Sequence, residues 1–217
     1  MGRRERKKLQ SKQTIMAAAV KKFMLKGVRE TSIADIMSEA ELGIGTFYNY
    51  FESKESLLLC LLEQIVEETK KLAARRMEEK VPAPQALEEI VMLTAEKLDE
   101  NRFVLPLFLS AADRSALPRP KHDLGPRLAP AFRSVFSDVV QYGQTRREFR
   151  RDIPASVVTE LFHSIFQAAS FSSLEFPFAE NVRMKIELLL SGLKQNRHNQ
   201  KDTDDDKNDD DKIPDHI

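Results

Sequence analysis

Apolar residues recur along the chain at steps of three and four positions, the spacing that places side chains on one face of an α-helix. Ile15, Ala19 and Phe23 form the first such stripe, and Leu193 ends the last one. The strict alternation of apolar and polar residues that is typical of half-buried strands is rare. The pattern therefore predicts an all-α protein.

Turn and cap residues divide the beginning of the chain. Gly27 follows the first helical stripe and is predicted to stop that helix. Thr31 or Ser32 can cap the next helix, and Ser32 and Asp35 have the spacing of a capping box. We therefore expect a second helix to begin just after Ser32.

The second helix is predicted over about residues 33–40, with a turn around Glu41 and Leu42 and a third helix from near Gly43. Two short helices joined by a tight turn make a helix-turn-helix. In that motif the second helix enters the major groove of DNA and its first residues meet base edges. Residues 1–52 are expected to be an N-terminal arm and a three-helix DNA-binding domain, which we call the head.

Charge is unevenly distributed, although the whole chain is formally neutral. Residues 1–30 carry ten Lys or Arg against two Glu, a net charge of +8. Residues 1–8 are expected to form a flexible basic arm. Four lysines fall away from the apolar stripe of the first helix: Lys12, Lys21, Lys22 and Lys26. A face that serves solubility alone usually mixes both signs, so this excess favours attraction to phosphates.

The segment after the turn has the composition of a surface that contacts DNA. Gly43 and Gly45 keep the leading end of the third helix slim, so that backbone N–H groups can approach a duplex. Thr46 can bond a base edge or a phosphate, and its methyl can touch that of thymine. Phe47 and Phe51, four positions apart, share one face and are expected to pack inward.

The head resembles the DNA-binding domain of the TetR family of bacterial transcription repressors over about residues 9–62. The resemblance rests on the basic first helix, Gly27, Thr31–Ile36 and Gly43–Leu57. It implies that two sets of side chains face DNA, at the start of the second helix and along the third: Thr31, Ser32, Thr46, Tyr48, Asn49 and Tyr50. It also implies that Lys54, at the start of the fourth helix, meets a phosphate with the help of that helix's dipole.

Glu41 departs from the family pattern, in which this turn position is usually glycine. If its φ is positive, a glutamate there costs about 1 kcal/mol. A carboxylate close to DNA phosphates also opposes binding. Modest DNA affinity is expected for both reasons.

Residues 53–194 are predicted to form a larger helical body for ligand binding and dimerisation. Ser53 caps a long fourth helix, which ends at the break Pro82-Ala83-Pro84, and a loop is expected after Asp113. By the resemblance, a ligand pocket lies between the fifth to eighth helices. The residues predicted to line it are Met92, Phe103, Phe108, Phe132, Phe136, His163, Phe166 and Gln167. Phenylalanines at helical spacing are more often core, and His163 can equally be a hydrogen-bonded core histidine.

The eighth helix has an apolar face too broad for a surface helix. Together with a ninth helix from about Ala179, it can pair with the same helices of a second copy in a four-helix bundle, which is also the usual dimer in the resembled family. The alternative is that these faces complete a monomer core.

Several kinds of site are disfavoured. The four histidines show no metal-ligand spacing with cysteines or carboxylates, so no metal or cofactor is expected. The single cysteine, Cys60, excludes an internal disulfide and is expected to be a small buried helix residue, with a redox-sensing thiol as the alternative. No nucleophile is paired with a base in a recognisable motif, so we expect no enzyme.

The apolar runs and the two ends of the chain indicate in which cellular compartment the protein is expected. No run approaches the ~20 residues that span a bilayer, and no secretory signal is visible, so a cytoplasmic protein is expected. Residues 199–217 carry eight Asp against three Lys, and residues 195–217 are expected to be a disordered acidic tail. The run Asp-Asp-Asp-Lys within it resembles a protease-tag remnant.

The leading hypothesis is a homodimeric repressor that binds a palindromic DNA operator and releases it when a small apolar or amphipathic molecule enters the body. The alternative is a DNA-binding architectural or regulatory protein whose body binds a protein partner instead of a small ligand.

Overall fold

The computed structural model describes residues 2–110 and 125–194. Within these ranges the chain is helical, and the only extended pairing is the isolated bridge between Phe149 and Lys194. The helices are α1 Arg3–Glu30, α2 Ile33–Glu39, α3 Ile44–Phe47, α4 Lys54–Glu78, α5 Ala83–Glu100, the 3₁₀ turn Arg102–Val104, α6 Leu105–Ser110, α7 Gly125–Thr145, α8 Ala155–Ser170 and α9 Phe178–Leu193. The predicted all-α class is confirmed. The loop predicted after Asp113 and the acidic tail lie outside the described residues.

The first helix begins at Arg3, so the prediction of a flexible arm over residues 1–8 is wrong. The Gly2 backbone N–H donates to the Glu5 carboxylate at 3.3 Å, which satisfies a donor at the start of the first turn. Arg and Lys also have high helix propensity. The predicted stop is confirmed, because Gly27 has φ 80° and ψ 159° and breaks the regular backbone three residues before Glu30.

The two helices of the motif are joined as the cap residues predict. The Ser32 hydroxyl accepts a hydrogen bond from the Asp35 backbone N–H at 3.0 Å, and the Asp35 carboxylate accepts one from the Ser32 N–H at 2.9 Å. Glu41 has φ 54° in the turn after α2, which is the left-handed conformation that favours glycine. The strain expected at this position is therefore present.

The core of the head joins α1, α2 and α3 to the start of α4. Its large buried side chains are Ile15, Phe23, Ile36, Met37, Phe47, Phe51 and Leu57. The rings of Phe47 and Phe51 lie 5.5 Å apart, which confirms that both pack inward. Since Leu57 lies on α4, the head core continues directly into the helix that enters the body.

The body packs α5 against α4, α7 and α9. Thr69 and Thr94 are buried on α4 and α5 with their hydroxyl oxygens 3.3 Å apart, and each also donates to a carbonyl one turn earlier in its own helix. At the other end of α5, a Cβ built on Gly143 would lie 2.3 Å from Phe149 Cδ2 and 2.7 Å from Ala83 Cβ. Glycine is thus required where α7 meets α5.

Within the described ranges, the chain has no helix that is both long enough and apolar enough to cross a membrane.

Candidate DNA-binding surface and body core

The third helix has one buried side and one open side. Phe47 is fully buried, whereas Tyr48 is 60% exposed and Gly45 and Asn49 are exposed as well. Thr46 and Tyr50 are half-buried at the edge. The structure thus brings the predicted DNA-facing residues of this segment onto one accessible side.

Gly45 has open space around it within the described part of the chain. A Cβ built on it would meet no atom of the described residues within 4 Å, and its backbone does not have a positive φ. The same open space surrounds Gly43, the N-cap of α3. Among the residues that the structure describes, neither packing nor backbone conformation demands these two glycines.

Two predicted contacts at the start of α2 have different surroundings. Ser32 is exposed, and its hydroxyl also donates to the Asp35 carboxylate at 2.8 Å. Thr31 is only 1% exposed, and its hydroxyl lies 2.7 Å from the Gly27 carbonyl oxygen and 3.2 Å from that of Lys22. The Thr31 side chain therefore closes the end of α1 and is not on the surface predicted to face DNA.

Lys54 is half-buried at the first position of α4. Its ammonium group donates to the backbone carbonyls of Val28 at 2.7 Å and Thr31 at 2.6 Å, and Arg29 O lies at 3.4 Å. This ammonium group is directed at the chain itself, whereas the resemblance implied a phosphate contact. The spacing of residues along the sequence gave no sign of these bonds, which join positions more than twenty residues apart.

The four lysines predicted to attract phosphates each contact another group of the head. Lys21 and Lys22 pair with Glu39, Lys26 pairs with Asp35 at 3.0 Å, and Lys12 lies 5.7 Å from the centre of the Phe51 ring. Lys21, Lys22 and Lys26 thus hold α1 against α2. The basic residues at the beginning of α1, at positions 3–8, are all exposed.

These ion pairs change the acidity of the two carboxyls. Hydrogen bonds from Lys21 and then Lys22 lower the pKa of Glu39 to about 2. The pKa of Asp35 is well below its usual range, first because of the Ser32 backbone N–H and then because of Lys26. Both groups are therefore ionised at neutral pH and remain able to hold their lysines.

An aromatic cluster joins α6, α8 and α9 inside the body. The Phe108 ring lies 5.5 Å from His163 and 5.2 Å from Phe166, and Phe166 lies 6.5 Å from Phe178. Three of the predicted lining residues thus come together, with Phe178 as a member that sequence reasoning missed. No spacing rule links Phe178 to Phe166, because the two residues lie on different helices.

The remaining predicted lining residues are placed differently. Phe136 is buried and stacks on Phe162 at 5.4 Å, and Met92 is half-buried. Gln167 is exposed, so its prediction as an inward-facing residue is corrected. The side chain of Phe132 lies outside the described part of the chain.

Phe103 is not part of the body cluster. Its ring lies 5.3 Å from that of Phe23 on α1, so it connects the 3₁₀ turn to the head. The physical reason is that residue 103 lies in the 3₁₀ turn Arg102–Val104, which packs against α1. The contact provides a second connection between body and head besides α4.

His163 has the environment of a core histidine. Burial is the main cause that lowers the pKa of His163, and the nearby positive charge of Arg133 lowers it further. A hydrogen bond with the Leu109 backbone raises the pKa and partly offsets these two effects. The imidazole is therefore neutral at pH 7 and is tied to the backbone of α6.

The outer faces of α8 and α9, with the connection between them, carry large apolar side chains in contact with solvent. They are Val157, Leu161, Phe171, Leu174, Phe176 and Leu188. Phe171 is 77% exposed and Leu188 is 76% exposed. Several large exposed apolar side chains on neighbouring elements make this face a candidate interaction surface.

The fold and the head together define a class of protein. A helix-turn-helix with an open third helix follows a basic first helix, and α4 carries it on a helical body with an aromatic core. This is the organisation of a helix-turn-helix protein with a second, larger helical body.

Comparison with known proteins shows which proteins the chain resembles. Residues 15–61 match the family model for bacterial regulatory proteins of the TetR family. A helix-turn-helix regulator of Bacillus subtilis, YuxN, is 42% identical over 55 residues, which are 25% of this chain and 19% of that protein. The repressor DhaR of a Mycobacterium species is 23% identical over 177 residues, 81% of this chain and 83% of its own length.

A solved structure extends the similarity to the body. The TetR-family repressor FadR of Thermus thermophilus, solved with lauroyl-CoA, superposes with a TM-score of 0.60 at 20% identity and covers 83% of this chain and 94% of FadR. Residues 15–61 thus match the N-terminal domain of the TetR family of bacterial regulatory proteins, and 83% of the chain shares the fold of a TetR-family repressor. The resemblance noted in the sequence is confirmed, although the match to YuxN spans only about a fifth of that protein.

Proposed function

We propose that the chain is a homodimeric repressor that binds a palindromic DNA operator and releases it when an apolar or amphipathic ligand enters the body. The observation that carries the proposal is the open side of α3, with glycine at position 45 where no described residue packs against it. Glycine at such a place is explained by a partner that approaches the backbone closely.

The proposed DNA surface consists of exposed or edge residues around that glycine. Its members are Ser32, Gly45, Thr46, Tyr48, Asn49 and Tyr50. Thr31 contributes by shaping the start of α2, since its side chain is buried. The exposed basic residues at the beginning of α1 supply attraction to phosphates that does not depend on sequence.

The apolar outer face of α8 and α9 is the proposed dimer surface. Pairing this face with that of a second copy buries side chains such as Leu161, Phe171 and Leu188, which a lone chain leaves exposed. A twofold dimer places two heads on one duplex, which matches two half-sites about one helical turn or a multiple apart.

The ligand is proposed to bind among the aromatic residues of α6, α8 and α9. FadR of Thermus thermophilus was solved with lauroyl-CoA, which makes a long-chain acyl-CoA the first ligand class to test. An acyl chain suits a site lined by Phe108 and Phe166, because such sites are mostly apolar. The neutral His163 adds one polar group at the edge of this cluster.

The signal is proposed to travel through α4 and the 3₁₀ turn. Phe108 contacts the body cluster, and Phe103, five residues earlier, contacts Phe23 in the head. A ligand that shifts α6 thereby favours one orientation of the head over another. The ligand binds one orientation of the head more tightly than the other. The resulting fall in DNA affinity cannot be larger than this difference in ligand affinity.

Selection of duplexes from a random-sequence pool tests the DNA part of the proposal. The recovered duplexes should share a sequence and compete at least about a hundredfold better than random DNA of equal length in gel-shift titrations. Tyr48→Ala should lose this preference, and Gln167→Ala, an exposed change on the body, should retain it. Equal affinity for all duplexes would refute sequence-specific binding.

Thermal unfolding with lauroyl-CoA tests the ligand part, with coenzyme A alone as the control. Ligand at a hundred times its dissociation constant adds about 2.7 kcal/mol to stability, which raises the midpoint by several degrees. Phe108→Ala should abolish the shift and Gln167→Ala should preserve it. A shift with coenzyme A equal to that with lauroyl-CoA would exclude recognition of the acyl chain.

A further inference from the structure

Lys54 has unusual surroundings for a residue at the start of a helix. Its ammonium group lies among three backbone carbonyl oxygens at the end of α1, those of Val28 at 2.7 Å, Thr31 at 2.6 Å and Arg29 at 3.4 Å. The side chain is half-buried in this position. These bonds join the first residue of α4 to a segment more than twenty residues earlier.

The carbonyls converge because α1 does not end in a regular way. Gly27, at φ 80°, breaks the helix, and the chain then makes one more turn before Thr31. The last carbonyls of a helix lack partners within it. The Thr31 hydroxyl donates a hydrogen bond to the Gly27 carbonyl at 2.7 Å. The Lys54 ammonium group donates to the carbonyls after Gly27, beginning with that of Val28.

Electrostatics explains the direction of the lysine. A cation at the first position of α4 is unfavourable for that helix's own dipole, whereas a cation beside the last carbonyls of α1 is favourable. The charge of Lys54 therefore stabilises α1 and not α4.

We infer that Lys54 is a positioning residue that fixes the orientation of the helix-turn-helix on α4. The segment Val28–Thr31 leads into the motif, and Lys54 begins the helix that leads out of it toward the body. One ammonium group thus holds the entry of the motif against its exit. Its effect on DNA binding rests on the proposed function, and its effect on the head does not.

Two measurements on the full chain separate positioning from a phosphate contact. Lys54→Met removes the donors and keeps the apolar stem, Lys54→Arg restores charge and donors, and Lys7→Met removes one exposed charge as the control. Amide hydrogen exchange follows residues 27–33, with residues 15–23 as the core reference. DNA affinity for a duplex selected by the unaltered chain is measured over a series of salt concentrations.

For Lys54→Met we expect amide hydrogen exchange over residues 27–33 to be at least about tenfold faster than in the unaltered chain. We also expect DNA binding to be about tenfold weaker, because hydrogen bonds from a charged donor are lost. The core reference and the salt slope should stay unchanged, and Lys54→Arg should recover most of both effects. Lys7→Met should leave exchange over residues 27–33 unaltered.

A fall of about one in the salt slope for Lys54→Met would show a phosphate contact and overturn the inference. Unchanged exchange over residues 27–33 would overturn it too. The exchange experiment contains no DNA. If no duplex is selected at all, the proposed function fails while the role of Lys54 in the head is still decided.

Discussion

Glu41 provides a test of how the motif turn is built. Its φ of 54° costs a residue with a Cβ about 1–2 kcal/mol relative to glycine in the same conformation. Glycine loses more conformational freedom on folding than glutamate does, and this loss offsets about 0.5–1 kcal/mol of the gain in stability. Glu41→Gly should therefore stabilise the head by roughly 0.5–1 kcal/mol.

Urea unfolding followed by tyrosine fluorescence suits this measurement. Two of the three tyrosines, Tyr48 and Tyr50, lie beside the turn, and the chain has no tryptophan. Glu41→Gln is the matched control, because it removes the charge and keeps the strained backbone. It should leave the unfolding midpoint nearly unchanged, whereas both variants should bind DNA more tightly if the carboxylate faces phosphates.

The reasoning about strain fails if Glu41→Gly is no more stable than Glu41→Gln. The reasoning about charge fails separately, if Glu41→Gln binds the selected duplex no more tightly than the unaltered chain at equal salt concentration.

Four further outcomes are expected. Gly45→Ala should keep or slightly raise stability, by at most about 1 kcal/mol, yet weaken DNA binding in gel shifts; unchanged affinity would remove Gly45 from the interface. Gly143→Ala should destabilise the body by about 1–3 kcal/mol in urea unfolding, because its methyl would collide with Phe149, and an unchanged midpoint would contradict the close packing. Tyr48→Ala should weaken DNA binding while light scattering shows an intact dimer; equal affinity would refute its role. Glu39, with a folded pKa of about 2 against an ordinary 4.5, contributes stability above that ordinary value. This contribution to stability should be lost as pH falls from 4.5 toward 2. If the Glu39→Gln variant loses as much stability over the same pH range, the titration of Glu39 is not the cause.

Local rules predicted much of the head. The Ser32 cap and the Gly27 stop depend on residues a few positions apart, and such short-range patterns are visible in the sequence. Phe47 and Phe51 were assigned inward from their spacing alone, and both are buried.

Contacts between distant segments were not accessible in the same way. The phosphate contact expected for Lys54 comes from the resemblance, and nothing in its neighbourhood along the sequence shows that the carbonyls of Val28 and Thr31 converge on it. The expected place of Phe103 in the ligand site comes from the same resemblance, and its apolar character does not reveal which helix it meets. It contacts Phe23, eighty positions earlier.

The lysines of α1 illustrate another limit. Their excess of positive charge was read as a surface for phosphates, but Glu39 and Asp35 on α2 hold three of them. A charge count along the sequence does not show which opposite charge lies across the interface between two helices. We therefore propose that the exposed basic residues at the beginning of α1 provide the attraction to DNA.

Hydroxyl-radical footprinting of the full chain on a selected duplex tests the central claim most directly. Two protected half-sites are predicted, related by twofold symmetry, with centres about one helical turn or a multiple apart. Lauroyl-CoA, at a concentration that shifts the thermal midpoint, should remove the protection, and coenzyme A should leave it in place. Uniform protection of any duplex, with no symmetric pair of half-sites, would contradict the account.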